Sequence, residues 1–206
     1  MRILFLLITL LSFSFGKAQL LDSIALFTQE PPRPVFRLDI RGSFVSNRNV
    51  RLMGAKIGLE HARRFQYGVG YSFLFTPVER EEDVEGVGLT TVKVRVGYIT
   101  PYVDYAFYQR GPWEVRLPVQ IGIGAGSTVY TDAEGEKQQV DRTGLLIYEP
   151  AMTVQYRFLK YFGVGAGWGY RLVVQTGEKL GENLSAPIYI FGLRIFFDDI
   201  WKDVNE

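Results

Sequence analysis

Cysteine is absent from this 206-residue chain, so neither a disulfide nor a thiolate metal site can form. Histidine occurs once, as His61, which leaves little for imidazole catalysis or a histidine metal cluster. Beyond the first fifteen residues no apolar run approaches the ~20 residues that a membrane-spanning helix needs. Charge of one sign is lacking too, with 23 Lys and Arg against 22 Asp and Glu, and such a balance argues against nucleic acid as a partner. What the chain has in quantity is 22 glycines, 12 tyrosines and 15 phenylalanines, a composition suited to β-structure with close backbone contacts.

The glycines are not scattered. In Phe162-Gly163-Val164-Gly165-Ala166-Gly167-Trp168-Gly169-Tyr170, apolar residues alternate with glycine over a full strand length. A period of two marks a strand whose two faces differ. Gln66, Gly68, Gly70 and Ser72 alternate in the same way with Phe65, Tyr67, Val69, Tyr71 and Phe73, and Gln120, Gly122 and Gly124 with Val119, Ile121, Ile123 and Ala125. A soluble sheet turns its large residues into a core and polar ones to water. Here the face opposite the large residues carries nothing bulky, which suits a sheet curled around a narrow interior with its aromatic side toward lipid. A soluble β-sandwich is the competing reading, because alternation alone does not separate the two.

Residues 1–18 read as an export signal: Arg2 supplies the positive charge, 3–15 the apolar stretch, and Gly16-Lys17-Ala18 the small-residue cleavage region. An uncleaved anchor is the alternative, and the run is short for one. Removing Arg2 and Lys17 leaves 21 basic residues against 22 acidic. A leader over 19–35 follows, in which Pro31, Pro32 and Pro34 are expected to block regular pairing.

Eight strands can be drawn, over 36–46, 51–61, 65–75, 89–108, 113–125, 145–158, 161–175 and 186–197. Eight is the smallest even count for outer-membrane barrels, and closure leaves no strand edge unsatisfied in lipid. The expected fold class is all-β, an eight-stranded antiparallel transmembrane up-and-down β-barrel over 36–197, with a tail over 198–206. The fourth strand changes parity: Val92, Val94, Val96 and Tyr98 share one face while Val103, Tyr105 and Phe107 have the other. If all of them meet lipid, a one-residue bulge near Thr100-Pro101 is required.

Short links at 62–64, 109–112 and 159–160 alternate with longer polar ones at 76–88, 127–144 and 176–185. Short periplasmic turns and long outer loops would place both termini in the periplasm of a Gram-negative bacterium. The long links contain Glu79, Glu81, Glu82, Asp83, Glu85, Asp132, Glu134, Glu136, Asp141, Glu178 and Glu182, so an acidic outer surface is expected. Phe65, Tyr67, Phe107, Tyr108, Trp113, Tyr156, Phe158, Tyr161, Phe162, Phe196 and Phe197 fall near the periplasmic ends, with Trp201 just beyond. Aromatic rings favour that interface.

By parity, Arg37, Asp39, Arg41, Lys56, Glu60, Arg95, Asp104, Glu114, Arg116, Glu149, Arg157, Arg171 and Arg194 point inward. An eight-strand interior is just wide enough for side chains to fill, so these groups are expected to pair with one another or hold water. Two readings follow: a polar plug that satisfies itself and fixes register, or a narrow ion path favouring anions because basic members outnumber acidic ones. Gly163, Gly165, Gly167 and Gly169 either admit a small ligand to the inner wall or make room for arginines from facing strands and allow tight curvature. The glycines do not lead into a helix as a phosphate loop requires, and the acidic residues lack calcium-loop spacing.

With strands and loops so placed, the chain resembles the small outer-membrane β-barrel proteins of Gram-negative bacteria over roughly 36–197. The Lys17-Ala18-Gln19 junction resembles exported proteins of the Bacteroidota. The resemblance is architectural, and no single motif identifies a member. It implies outer-membrane lipids, lipopolysaccharide and the outer-membrane assembly machinery as partners, with an extracellular ligand of unspecified kind. Barrels of this group usually end on an aromatic residue that the machinery recognises; Phe197 fits, and the extra 198–206 departs from the pattern. Some members modify lipid A with a surface His and a nearby Ser. The parity of His61 points it toward lipid, and Ala62, Arg63 and Arg64 beside it supply no nucleophile. No catalytic residue, cofactor or metal is therefore expected. The implied role is a non-enzymatic barrel, structural or surface-interacting, with a narrow porin-like pore as alternative and a soluble secreted β-protein as third reading.

Overall fold

The computed structural model describes residues 22–45, 48–84, 87–132, 135–175, 184–197, 199, 200 and 203. The export segment expected over 1–18, Glu85, Glu134, Glu178, Glu182, Trp201 and the side chain of Phe44 lie outside the described residues. Among the described residues there are nine strands: β1 (Arg33–Val45), β2 (Arg48–His61), β3 (Phe65–Leu74), β4 (Val78–Val84), β5 (Gly88–Arg110), β6 (Trp113–Thr131), β7 (Lys137–Arg157), β8 (Phe162–Gln175) and β9 (Ala186–Phe196). All pairings are antiparallel. Each sequential neighbour pairs except β3 with β4; β1 meets β9 with Val35 opposite Phe196, and β3 meets β5 with Phe65 opposite Tyr105. Those last two pairings close a cylinder.

The cylinder has eight staves because β4 continues the line of β3 along β5. Phe73 lies opposite Gly97 and Val78 opposite Val94, so four residues, 74–77, span what two cover on β5. Pro77 lacks the N–H a ladder needs, and the chain leans instead on β2, where Phe75 N and Thr76 N donate to Arg51 O at 2.9 and 3.2 Å. Two extra residues preserve parity. Glu79, Glu81, Glu82 and Asp83, expected in an open loop, therefore stand on a paired strand. The link expected over 127–144 is likewise mostly hairpin, with β6 and β7 paired out to Thr131 opposite Lys137. The loops expected over 76–88 and 127–144 are thus tall hairpins with short tips.

At the other end the turns are tight. Arg64 N donates to His61 O at 2.9 Å, and Ala62 and Arg63 between them have φ of 52° and 56°. Positive φ at both central residues gives the turn a twist that matches its strands, even without the glycine or asparagine usual there. The leader is more ordered than its prolines suggest: residues 22–27 are helical, and Pro34 sits in β1 opposite Leu59. Pairing with β9 begins only at Val35, so the missing N–H of Pro34 costs no bond on that side.

In β5 the expected bulge at Thr100-Pro101 is absent. Ile99 pairs with Ile123 and Tyr102 with Gln120 in one continuous register, and the slip comes later, between Ala106 and Tyr108. Pro101 interrupts the ladder without displacing it. Val92, Val94, Val96 and Tyr98 are consequently buried inside the barrel, and Arg95 is turned outward and exposed.

The exterior is apolar around the circumference. Ile57, Tyr71, Ile99, Ile123, Trp168, Val174 and Phe191, from six different strands, are between 54% and 62% exposed. Water-soluble monomers rarely show apolar patches of that extent, whereas hydrocarbon solvates such a belt. No described helix is long and apolar enough to cross a membrane, which does not bear on crossing by strands. Rings cluster at the short-turn end: Trp113 and Tyr156 lie 4.6 Å apart, Phe65 and Tyr67 5.9 Å, and Phe36 and Phe197 6.3 Å.

Candidate functional site

Alternation along each strand carries charged side chains inward at several heights, and closure brings them together in two layers. In the layer toward the short-turn end, Arg116 donates to Asp104 at 3.0 Å, Glu60 at 3.1 Å and Glu114 at 2.8 Å. Arg194 donates to Glu60, to Glu114 at 3.2 Å and to Gln155 at 3.2 Å. Arg37 bonds Asp104, and Gln66 donates to the Tyr102 hydroxyl at 2.7 Å. Three arginines thus face three carboxylates.

The middle layer is built around Arg41 and Glu149, which pair at 2.5 Å. Arg41 also bonds Ser72 and lies 3.3 Å from Asp39, which in turn meets Lys56 at 3.1 Å. Glu149 accepts further bonds from Arg171 and Gln120. The position of Gly54 is set by this layer, because a Cβ there would lie 2.3 Å from Asp39 Oδ1 and 2.7 Å from Arg41 Nη2. A buried charge without a partner costs several kcal/mol, and this mutual satisfaction is what lets the groups stay inside.

Above the middle layer, toward the tall hairpins, the lumen becomes apolar. Val50, Leu52, Val94, Val96, Tyr98, Leu145, Ile147 and Leu184 pack into one buried cluster, with Leu74 and Val173 against it. Tyr98 joins the two regions, since Arg41 Nη1 approaches its hydroxyl at 3.4 Å. Among the described residues, charge pairing fills the lower lumen and hydrocarbon the upper. Sequence reasoning missed this cap. Its signal was a local loss of alternation, as in Leu145-Leu146-Ile147-Tyr148, where both faces of the strand are apolar.

Of the thirteen charged residues expected inside, Arg37, Asp39, Arg41, Lys56, Glu60, Asp104, Glu114, Arg116, Glu149, Arg171 and Arg194 meet in these layers. Arg95 does not, for the reason given by its parity. Arg157 lies at the rim, where it pairs with Asp199 at 2.6 Å and lies over the Phe196 ring at 4.4 Å. Arg194 covers that ring at 4.5 Å, so Phe196 faces the lumen and not the lipid girdle. Among those thirteen the excess of positive charge inside shrinks accordingly, to six basic against five acidic groups.

The tail docks on the turn between β7 and β8. Lys160 Nζ donates to Asp203 Oδ2 at 2.6 Å and the Tyr161 hydroxyl bonds the same carboxylate. These bonds, that from Lys160 foremost, hold the Asp203 carboxyl below the usual carboxylate range. Conversely, the bond to Asp203 raises the Tyr161 phenol.

His61 is on the outward face of β2, as expected, but does not meet lipid. Its Nδ1 donates to Glu30 O at 2.8 Å, its ring stacks on Tyr67 at 5.7 Å, and it is buried by the leader. Phe27 packs nearby against Tyr105 at 6.4 Å. Gly165 of β8 borders the same space as Arg37, Arg41 and Arg194. A Cβ on Gly167 would fall 2.2 Å from Met152 O, so that residue allows close approach of β7 and tight curvature. A small cavity of about 40 Å³ remains beside the middle layer, bordered among others by Arg41, Lys56, Gln120, Thr153 and Gly165. Among the described residues no group of three metal-binding side chains occurs.

No protein-family model and no curated protein matches the sequence. Among solved structures, the chain is similar to Neisserial surface protein A at 13% identity and a TM-score of 0.50, over 80% of this chain and 96% of that one. It is also similar to Ail, the attachment invasion locus protein of Yersinia pestis, solved with the heparin analogue sucrose octasulfate, at 16% identity and 0.49 over 80% and 97%. The N-terminal β-barrel domain of Pseudomonas aeruginosa OprF matches at 12% identity and 0.43 over 80% and 98%. At such identity the likeness to the neisserial protein is one of fold, and together with the register described above it shows this chain to be a small eight-stranded antiparallel up-and-down β-barrel.

Proposed function

We propose that the protein is a non-enzymatic barrel of a Gram-negative outer membrane, whose sealed wall anchors the β4–β5 and β6–β7 hairpins outside the cell for a surface interaction. The observation that carries this reading is the combination of an apolar exterior with a lumen filled by paired charges and capped by hydrocarbon. In this arrangement an export signal delivers the chain, the short turns and both termini lie in the periplasm, and the girdle meets lipid and lipopolysaccharide. Between the hairpins opens a cleft of about 610 Å³, lined by Glu82, Asp83, Tyr130, Gln138, Gln139 and Asp141. Its carboxylates and amides suit a cationic external partner.

Fractionation and conductance test the reading together. The protein is expected in detergent-solubilised outer membrane, with mobility on gels that shifts on heating, and it is expected to leave a planar bilayer silent. Recovery from soluble periplasm would remove the membrane reading. Steady current through the purified protein would replace the anchor with a pore.

A further inference from the structure

We propose that the cavity beside the middle ionic layer holds one small monovalent anion of chloride size, a site that rests on the sealed-barrel reading. The lower layer balances, with Arg37, Arg116 and Arg194 against Glu60, Asp104 and Glu114. The middle layer does not. Arg41, Lys56 and Arg171 share only Asp39 and Glu149, which leaves one positive charge without a counter-charge among the described residues. Arg41 is 0% exposed and Arg171 2%, and the apolar cap separates both from one mouth of the barrel. Mobile ions in bulk water screen a buried charge only weakly, and an uncompensated buried charge is costly, so neutralisation has to be local.

The place for it adjoins the surplus. Arg37, Arg41, Lys56 and Arg194 border the cavity against only Asp39 and Glu149. Gly165 and Gly192 stand opposite one another on β8 and β9 and add no side chain to fill the space. Thr153, 4% exposed, lines the cavity with a hydroxyl that no protein group engages, and Arg194 Nε is likewise unengaged. Those are donors suited to an anion. Gln120 Oε1 and the Asp39 carboxylate oxygen Oδ1 are unengaged acceptors bordering the same cavity, which waters accompanying the ion satisfy. At ~10–15 Å³ for each water-sized body, a cavity of about 40 Å³ takes a halide and one or two waters. A phosphate or an organic acid is too large for it.

The full chain is refolded from urea into detergent micelles at one ionic strength, with chloride, bromide or gluconate as the anion; gluconate is too bulky to enter. The thermal unfolding midpoint should be several degrees higher in either halide than in gluconate. Lys56→Met keeps most of the side-chain volume while removing the surplus charge, and its midpoint should be equal in all three salts. Crystals grown in bromide should show anomalous scattering in the cavity beside Thr153. Equal wild-type midpoints, an empty bromide map, or a halide effect unchanged in Lys56→Met would each overturn the site. Should Lys56→Met fail to fold, the bromide map of the unsubstituted protein decides. Conductance keeps the two readings apart, since a steady current would end the sealed-barrel reading even alongside a halide effect, and a silent bilayer without one would end only the anion site.

Discussion

Arg116 has no exposed side-chain surface and meets three carboxylates from three strands. Replacing it by methionine would preserve bulk and leave Asp104, Glu60 and Glu114 crowded without their shared donor. The expected loss is about 3–5 kcal/mol, the usual cost of removing one member of a buried ion pair, read as a lower midpoint in urea unfolding from micelles. Glu114→Gln should cost distinctly less, since Glu114 is the most exposed of the three carboxylates, at 14%. Much of this arrangement was legible in the sequence. Arg37, Asp39 and Arg41 alternate with Leu38 and Ile40 in one unbroken run, and once the apolar side is given to lipid the charges can only point inward. Arg95 was not legible in that way. It sits between Val94 and Val96, and alternation states that the valines share a face without stating which face it is.

At the scale of the element, β5 shows the same limit on a larger span. Its upper half is apolar on the inner side because the barrel is capped there by hydrocarbon, a fact of cross-section that no single strand records. The length of the hairpins was hidden for a related reason: Val78-Glu79-Arg80-Glu81-Glu82-Asp83-Val84 is too charged to read as a strand, yet pairing with β5 satisfies its backbone well beyond the apolar belt. Because the described tip residues 132, 135 and 136 are not part of the buried cluster, shortening 132–136 to a two-residue turn should leave heat-shifted mobility unchanged. The docked tail allows a prediction in pH. The Asp203 carboxyl is held below its unfolded value by Lys160 and Tyr161, so its contribution to docking is complete above the ordinary aspartate value of ~3.9. It is lost as pH falls through the lowered value. Protection of the tail amides, taken relative to the intrinsic exchange rate at each pH, should therefore fall on acidification, and Asp203→Asn should remove it at neutral pH as well.

For the whole molecule, the orientation of the wall is the quantity to measure. Spin labels at Val164 and Ile121, 46% and 47% exposed on the outer face, should relax with lipid-dissolved oxygen and resist aqueous nickel complexes; the reverse pattern would turn the barrel inside out. The ionic layers also say something about how such a wall assembles. Glu60 and Arg194 are 134 residues apart in the chain, and Arg41 and Glu149 108 apart. Neither partnership exists until the first and last staves meet. Contacts that distant slow a folding reaction, because the loop must close before anything rewards it. A half-built sheet would hold its arginines and carboxylates singly against hydrocarbon, so partial assemblies are penalised where the finished cylinder is not. The chain should enter its bilayer in a single late, cooperative step, and a truncation that removes β9 should yield no folded remnant at all.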